Sequence, residues 1–213
     1  MFGLIESLLY TAPAVLIALS LHELAHGLAS YALGDPTPKA EGRLSLNPLR
    51  HLDPWGTVML LFFHFGWAKP VSVDPRYYDN PKVDMAKVSL SGPLMNFFVA
   101  FVAIFFMGIM EKVNMPINAI NNYIYTLLYY IAIIDIGLGL FNLIPIPPLD
   151  GSKVLFAILP ERYYFSYMRF EQFGMIFLLL LITFGAFDGF LVGARTSVIS
   201  GMLEITNRIL GLA

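Results

Sequence analysis

The sequence contains no cysteine. Disulfides and thiolate ligands are therefore excluded, and any bound metal must be held by nitrogen and oxygen donors. Charge is scarce as well. Charged residues make up 13% of the 213 positions, against about 25% in ordinary soluble domains. Hydrophobic residues make up 57%, and the mean hydropathy is +0.69. A soluble core of this size cannot bury so much apolar surface, so the chain reads as an integral membrane protein. The net charge of −2 leaves no basic excess for nucleic acid. The opening "MFGLIESLLY" has no Lys or Arg ahead of its apolar run. It lacks the positive start of a signal peptide and is expected to be retained. Repeats, low-complexity tracts and a separate soluble stretch are also missing, which leaves one membrane-embedded domain over 1–213.

What is present is apolar length. Runs at about 4–33, 84–110, 121–144 and 171–191 are each long enough to span a bilayer. "WGTVMLLFFHFGW" (55–67) is shorter and reads as a re-entrant or short helical segment. The tail from 192 alternates polar and apolar residues at helical spacing and reads as a membrane-surface helix. The expected fold class is an all-α integral membrane protein, a polytopic bundle of about four to five transmembrane helices. Lys39, Arg43, Arg50, Lys69, Arg76, Lys82 and Lys87 lie in 34–87, and Lys153, Arg162 and Arg169 in 150–170, whereas 111–120 holds only Lys112. The positive-inside rule then makes 34–87 and 150–170 cytoplasmic.

Inside the first apolar run lies "SLHELAHGLASYAL", residues 20–33. His22, Glu23 and His26 spell H-E-x-x-H. Residues four apart on a helix share a face, so both imidazoles can reach one metal. Glu23, beside the first of them, can reach an attacking water. Packing would account for a lone histidine. Three ionisable groups at membrane depth are costly and point to function.

A catalytic zinc takes three protein ligands and keeps one position open. The third ligand has three candidates. His64 lies in the short apolar segment and suits an interfacial or supporting role. Asp135, in the third run, suits an interhelical hydrogen bond. Asp150 closes "NLIPIPPLD" (142–150), where three prolines break any helix. Irregular backbone at membrane depth is tolerated where it lines a cavity, which favours Asp150. Asn142 and Asn96 are candidate donors to the oxyanion of a tetrahedral intermediate. "GRLSLN" (42–47) alternates polar and apolar residues. It reads as one edge of a small β-hairpin-like interface segment. Arg43, Leu44, Ser45 and Leu46 there could hold an unwound substrate by strand addition. The glycines in and near the spans, including Gly92, Gly137 and Gly139, read as sites of close helix packing.

"HELAH" in a membrane helix, "SGPLMNF" (91–97) and "NLIPIPPLDG" (142–151) together resemble the site-2 protease family of intramembrane zinc metalloproteases. "GRLSLNPLRHLDPWGT" and "FGWAKPV" resemble its compact single-domain members, without PDZ or CBS domains. The core motifs run from about 15 to 155, with C-terminal helices over 156–213. The resemblance implies one Zn2+ per chain, ligands His22, His26 and Asp150, and Glu23 as general base. It also implies a transmembrane protein or peptide as substrate, the lipid bilayer as surroundings, and a multi-pass location in the cell membrane with the site near the cytoplasmic face. A metal-ion transporter or sensor, or an inactive binding protein on the same fold, are the competing readings. Oligomeric state has no signature in the sequence.

Overall fold

The computed structural model describes residues 2–56, 68–160, 174 and 176–212. Three long helices dominate: α1 (Phe2–Ala32), α2 (Pro81–Lys112) and α3 (Ala119–Asn142). All three are long and apolar enough to cross a membrane. α2 starts cleanly because Asn80 caps it, accepting from the Val83 N–H, with Pro81 in the first turn. α3 starts on Asn118, whose side chain accepts from the Asn121 N–H. It stops at Asn142, just before the prolines of "PIPP". A short helix, α4 (Asp150–Ile158), follows and packs on α2.

The three long helices meet along small residues. Ala14, Ala100, Ala103 and Ala132 are buried together with Ile104, Ile131 and Ile136. Alanine lets the backbones approach, and close van der Waals packing holds helices together where lipid removes the hydrophobic drive. Because the helices alternate in direction, the C-terminal ends of α1 and α3 lie beside the start of α2 and the elbow before α4.

The structure departs from the sequence reading at two places. Among the described residues there is no β-strand. The nearest approach is an isolated antiparallel bridge between Leu52 and Ala68. Residues 42–47 form turns and bends. The expected alternation inverts there: Arg43 is buried at 4% exposure while Leu46 stands 73% exposed. The reason is a polar one. The Arg43 guanidinium turns inward and donates to the carbonyls of Arg50, Lys69 and Pro70, which ties the segment into a knot of loops rather than a free edge. Second, the expected fourth span breaks. α5 (Ile176–Thr183) and α6 (Asp188–Leu210) meet at 83°, with Gly185 at φ +66° in the turn between them. α6 is not a detached surface helix. It packs on α2 and α3, and Gly108 lets the Thr206 and Leu210 side chains close on α2. Among the described residues the count is thus three spans, or four if the bent pair is one. The 55–67 segment lies almost wholly outside the described residues.

Candidate metal centre

The α1–α2 interface sets the two imidazoles. His22 and His26 stand one turn apart on α1. Opposite them α2 presents Gly92, where a Cβ would come within 2.6 Å of both rings. Only glycine leaves that space. Each ring is then tethered through Nδ1. His22 Nδ1 lies 2.7 Å from Asn96 Oδ1, and His26 Nδ1 lies 2.7 Å from the Val88 carbonyl.

These tethers fix the tautomers. The Asn96 amide nitrogen donates to the Ala18 carbonyl at 3.1 Å and to Asp135 Oδ1 at 2.7 Å. Both its N–H groups are used, so Oδ1 must accept, and His22 Nδ1 carries the proton. A carbonyl can only accept, so His26 Nδ1 carries its proton too. In their neutral form, the form that ligates a metal, both rings would then aim a bare Nε2 lone pair inward.

Those lone pairs converge on α4. The two Nε2 atoms are 3.0 Å apart. Asp150 Oδ2 lies 3.1 Å from His22 Nε2 and 3.2 Å from His26 Nε2. It is buried and takes no hydrogen bond. Three electron pairs facing one another in a buried place are repulsive unless a cation lies between them. A tetrahedral zinc with bonds of about 2.0–2.1 Å separates its ligand atoms by about 3.3 Å. The spacing and the N, N, O donor set both fit zinc. Among the described residues this is the one group of three histidine or acidic side chains close enough to share a metal.

The elbow delivers Asp150 by close backbone contact. Ile146 and Leu149 close turns over 144–149 through N–H bonds to Ile144 and Ile146. A Cβ on Gly151 would come within 2.2 Å of the Leu143 carbonyl oxygen. The Asp-Gly pair is thus a folding requirement as well as a ligand position.

Glu23 is half-buried beside His22. Its Oε2 accepts the Val71 N–H at 2.9 Å, and Oε1 takes no hydrogen bond among the described residues. Asp135 lies away from the metal group and bonds to Asn96, as the interhelical reading expected. His64 lies outside the described residues. Asn142 donates one amide N–H back to the Leu138 carbonyl at 3.1 Å. Gly137 meets nothing within 4 Å, whereas Gly139 lies against Phe97 and Pro93. Sequence reasoning missed the His22–Asn96–Asp135 chain, the Val88 carbonyl and the Val71 N–H. The one available signal was Asn96 standing four residues after Gly92, one turn along the same face of α2.

Comparison with known proteins agrees with this geometry. The model of "Peptidase family M50" matches residues 106–185. Bacillus subtilis (strain 168) has a protein 36% identical over 176 residues, covering 82% of this chain and 80% of that one. A Mycobacterium tuberculosis protein is 26% identical over 182 residues, covering 84% and 68%. They are named YwhC and Rip2, each under the description "Putative zinc metalloprotease". A zinc metalloprotease of Methanocaldococcus jannaschii is 31% identical over 109 residues, 49% of this chain and 29% of that one. No solved structure matches the chain. With two imidazoles and a carboxylate converging inside a helical membrane bundle, and with that identity over most of both chains, the protein belongs to peptidase family M50, the site-2 proteases.

Proposed function

We propose that this chain is an intramembrane zinc endopeptidase that hydrolyses peptide bonds in or near transmembrane segments of other membrane proteins. The observation that carries it is the convergence of His22 Nε2, His26 Nε2 and Asp150 Oδ2 within 3.2 Å of one another, with the Glu23 carboxylate on the residue next to His22. His22, His26 and Asp150 would hold the metal. Zinc bound there makes water nucleophilic near neutral pH and polarises the scissile carbonyl.

The chain's own groups do the rest. Glu23 takes the proton of the attacking water on its unoccupied Oε1 and passes it to the leaving amine. Asn96 and the Val88 carbonyl hold the rings in one tautomer, so neither ligand can turn away. Supporting partners of this kind typically change metal affinity or activity by about 10–100-fold when removed. Asn142 keeps an amide N–H beyond its bond to Leu138 and is the candidate oxyanion donor. Asn96 has none left to give.

His26 lies six residues before the end of α1, and His22 ten, so the ligands sit about 9–15 Å inside that end of the bundle. It is also the end that carries the Lys- and Arg-rich connections. The positive-inside rule makes it cytoplasmic, in a protein of the cell membrane. A metal transporter would need polar groups strung across the bilayer. Here the helices close beyond Asp135 on alanine and isoleucine.

The test is turnover of a single-span membrane substrate by the native chain and by Glu23→Gln. The variant should keep its zinc and lose cleavage by at least about 100-fold, the scale of general-base catalysis. Undiminished cleavage would refute the assigned base.

A further inference from the structure

Arg43 is a buried cation with no carboxylate on it among the described residues. Its buried Nε has no partner among the described residues, and its two terminal nitrogens donate to backbone carbonyls: Arg50, Lys69, and Pro70 at 2.9 Å. The last of these belongs to the same peptide group whose N–H, on Val71, donates to Glu23 Oε2 at 2.9 Å. A trans peptide is a rigid plane with its C=O and N–H directed oppositely. Arg43 therefore grips one end of a single amide and Glu23 the other. Resting on the proposed zinc endopeptidase reading, we infer that Arg43 is a positioning residue for Glu23, acting through the Pro70–Val71 peptide.

Three features support this. A glutamate side chain has several rotatable bonds, and a general base must be held within hydrogen-bond reach of the proton it takes. The Val71 N–H fixes one carboxylate oxygen and leaves the other for water. Second, a cation on the carbonyl polarises the amide and strengthens its N–H as a donor, since hydrogen bonds in series reinforce one another. Third, the segment has fastenings besides its bond to Glu23. Lys69 N–H donates to the His51 carbonyl at 2.8 Å, His51 Nε2 lies 2.7 Å from the Ser45 carbonyl, and Val71 packs against Gly27 on α1. The "GRLSLN" and "AKPV" stretches thus act together on the base.

The experiment uses the full zinc-loaded chain in lipid nanodiscs. Amide hydrogen exchange at Val71 is measured in the native protein, Glu23→Ala, Arg43→Met and Arg43→Lys. Zinc content, kcat and KM are measured alongside. Val71 should exchange at least about tenfold faster in Glu23→Ala and in Arg43→Met. Arg43→Met should keep its zinc and its KM within about twofold while kcat falls about 10–100-fold, the range expected for a hydrogen bond to a charged group. Arg43→Lys, which restores a cation without the fork, should recover part of kcat. If Arg43→Met does not fold, Val71→Pro removes the same N–H, and it should keep zinc and lose kcat to a similar degree. Unchanged Val71 exchange in Glu23→Ala would overturn the inference. So would a raised KM with native kcat in the Arg43 variants, or native kcat in Val71→Pro. A native chain that cleaves nothing refutes the endopeptidase reading instead, and the exchange measurements still decide on Arg43.

Discussion

At the residue scale, the ligand set and the space around it make separate predictions. Purified protein should carry about one zinc per chain. His22→Ala and Asp150→Ala should strip it, whereas Asp135→Ala should not, because Asp135 touches Asn96 rather than the metal group. Zinc retained by Asp150→Ala and lost by Asp135→Ala would reverse the choice of third ligand. Gly92→Ala should also lose zinc while touching no ligand atom by chemistry. Its methyl would stand 2.6 Å from both rings, and neither ring can swing aside without giving up its Nδ1 tether. Metal analysis of folded, helical protein checks this directly. The H-E-x-x-H triplet was legible in the sequence because spacing alone defines a helix face. The role of Asn96 was not. It depends on how α2 registers against α1, and the two partners are 74 residues apart.

At the scale of elements, the long helices follow from apolar run length, and their ends follow from Asn80, Asn118 and the prolines after Asn142. The 42–47 stretch was misread as a strand because the order of the connection around it comes from buried polar hubs, which leave no periodicity. One hub is Arg43. The other is Asp35, fully buried. It accepts from Ser30 Oγ at 2.7 Å, the Thr37 N–H at 2.9 Å and the Asp74 N–H at 2.8 Å. Burial pushes its carboxyl up, but the hydroxyl and N–H of Thr37, with the Asp74 N–H and Ser30, outweigh that and hold it below the ordinary carboxylate range. A lowered folded-state pKa gives stability that is complete above the unfolded value of about 4 and fades as pH falls through the folded one. Asp35→Asn should therefore melt below the native protein at pH 7. The gap should narrow as pH is lowered from about 4 towards 3, as followed by thermal unfolding in detergent. A constant gap would mean that Asp35 is not ionised in the fold.

At the scale of the whole molecule, the orientation rests on charge in the loops and is open to labelling. No native cysteine interferes. Glu41→Cys and Ile117→Cys place exposed thiols on the connections at opposite ends of the bundle. An impermeant maleimide applied to intact cells should label Ile117→Cys and spare Glu41→Cys. The reverse pattern would turn the molecule over and put the zinc on the outer side. The all-helical character and the three long spans were readable from composition. The break between α5 and α6 was not, since the run "FLLLLITFGAFDGFL" keeps its apolar character across the bend and only Gly185 marks the place.

The two imidazoles and the carboxylate are also far apart in time. Ribosomes make His26 early, and Asp150 comes 124 residues later, after two further long helices and the elbow. Until then the growing chain has the two imidazoles without the Asp150 carboxylate, one ligand short of the three a catalytic zinc takes. The metal site is thus incomplete while α1, α2 and α3 are being made. It is completed only once the turn after α3 sets α4 against α2. A chain ended after Asn142 should accordingly insert with its three long helices and bind no zinc. Tight binding by that fragment would show that the activity is switched on earlier than the elbow allows.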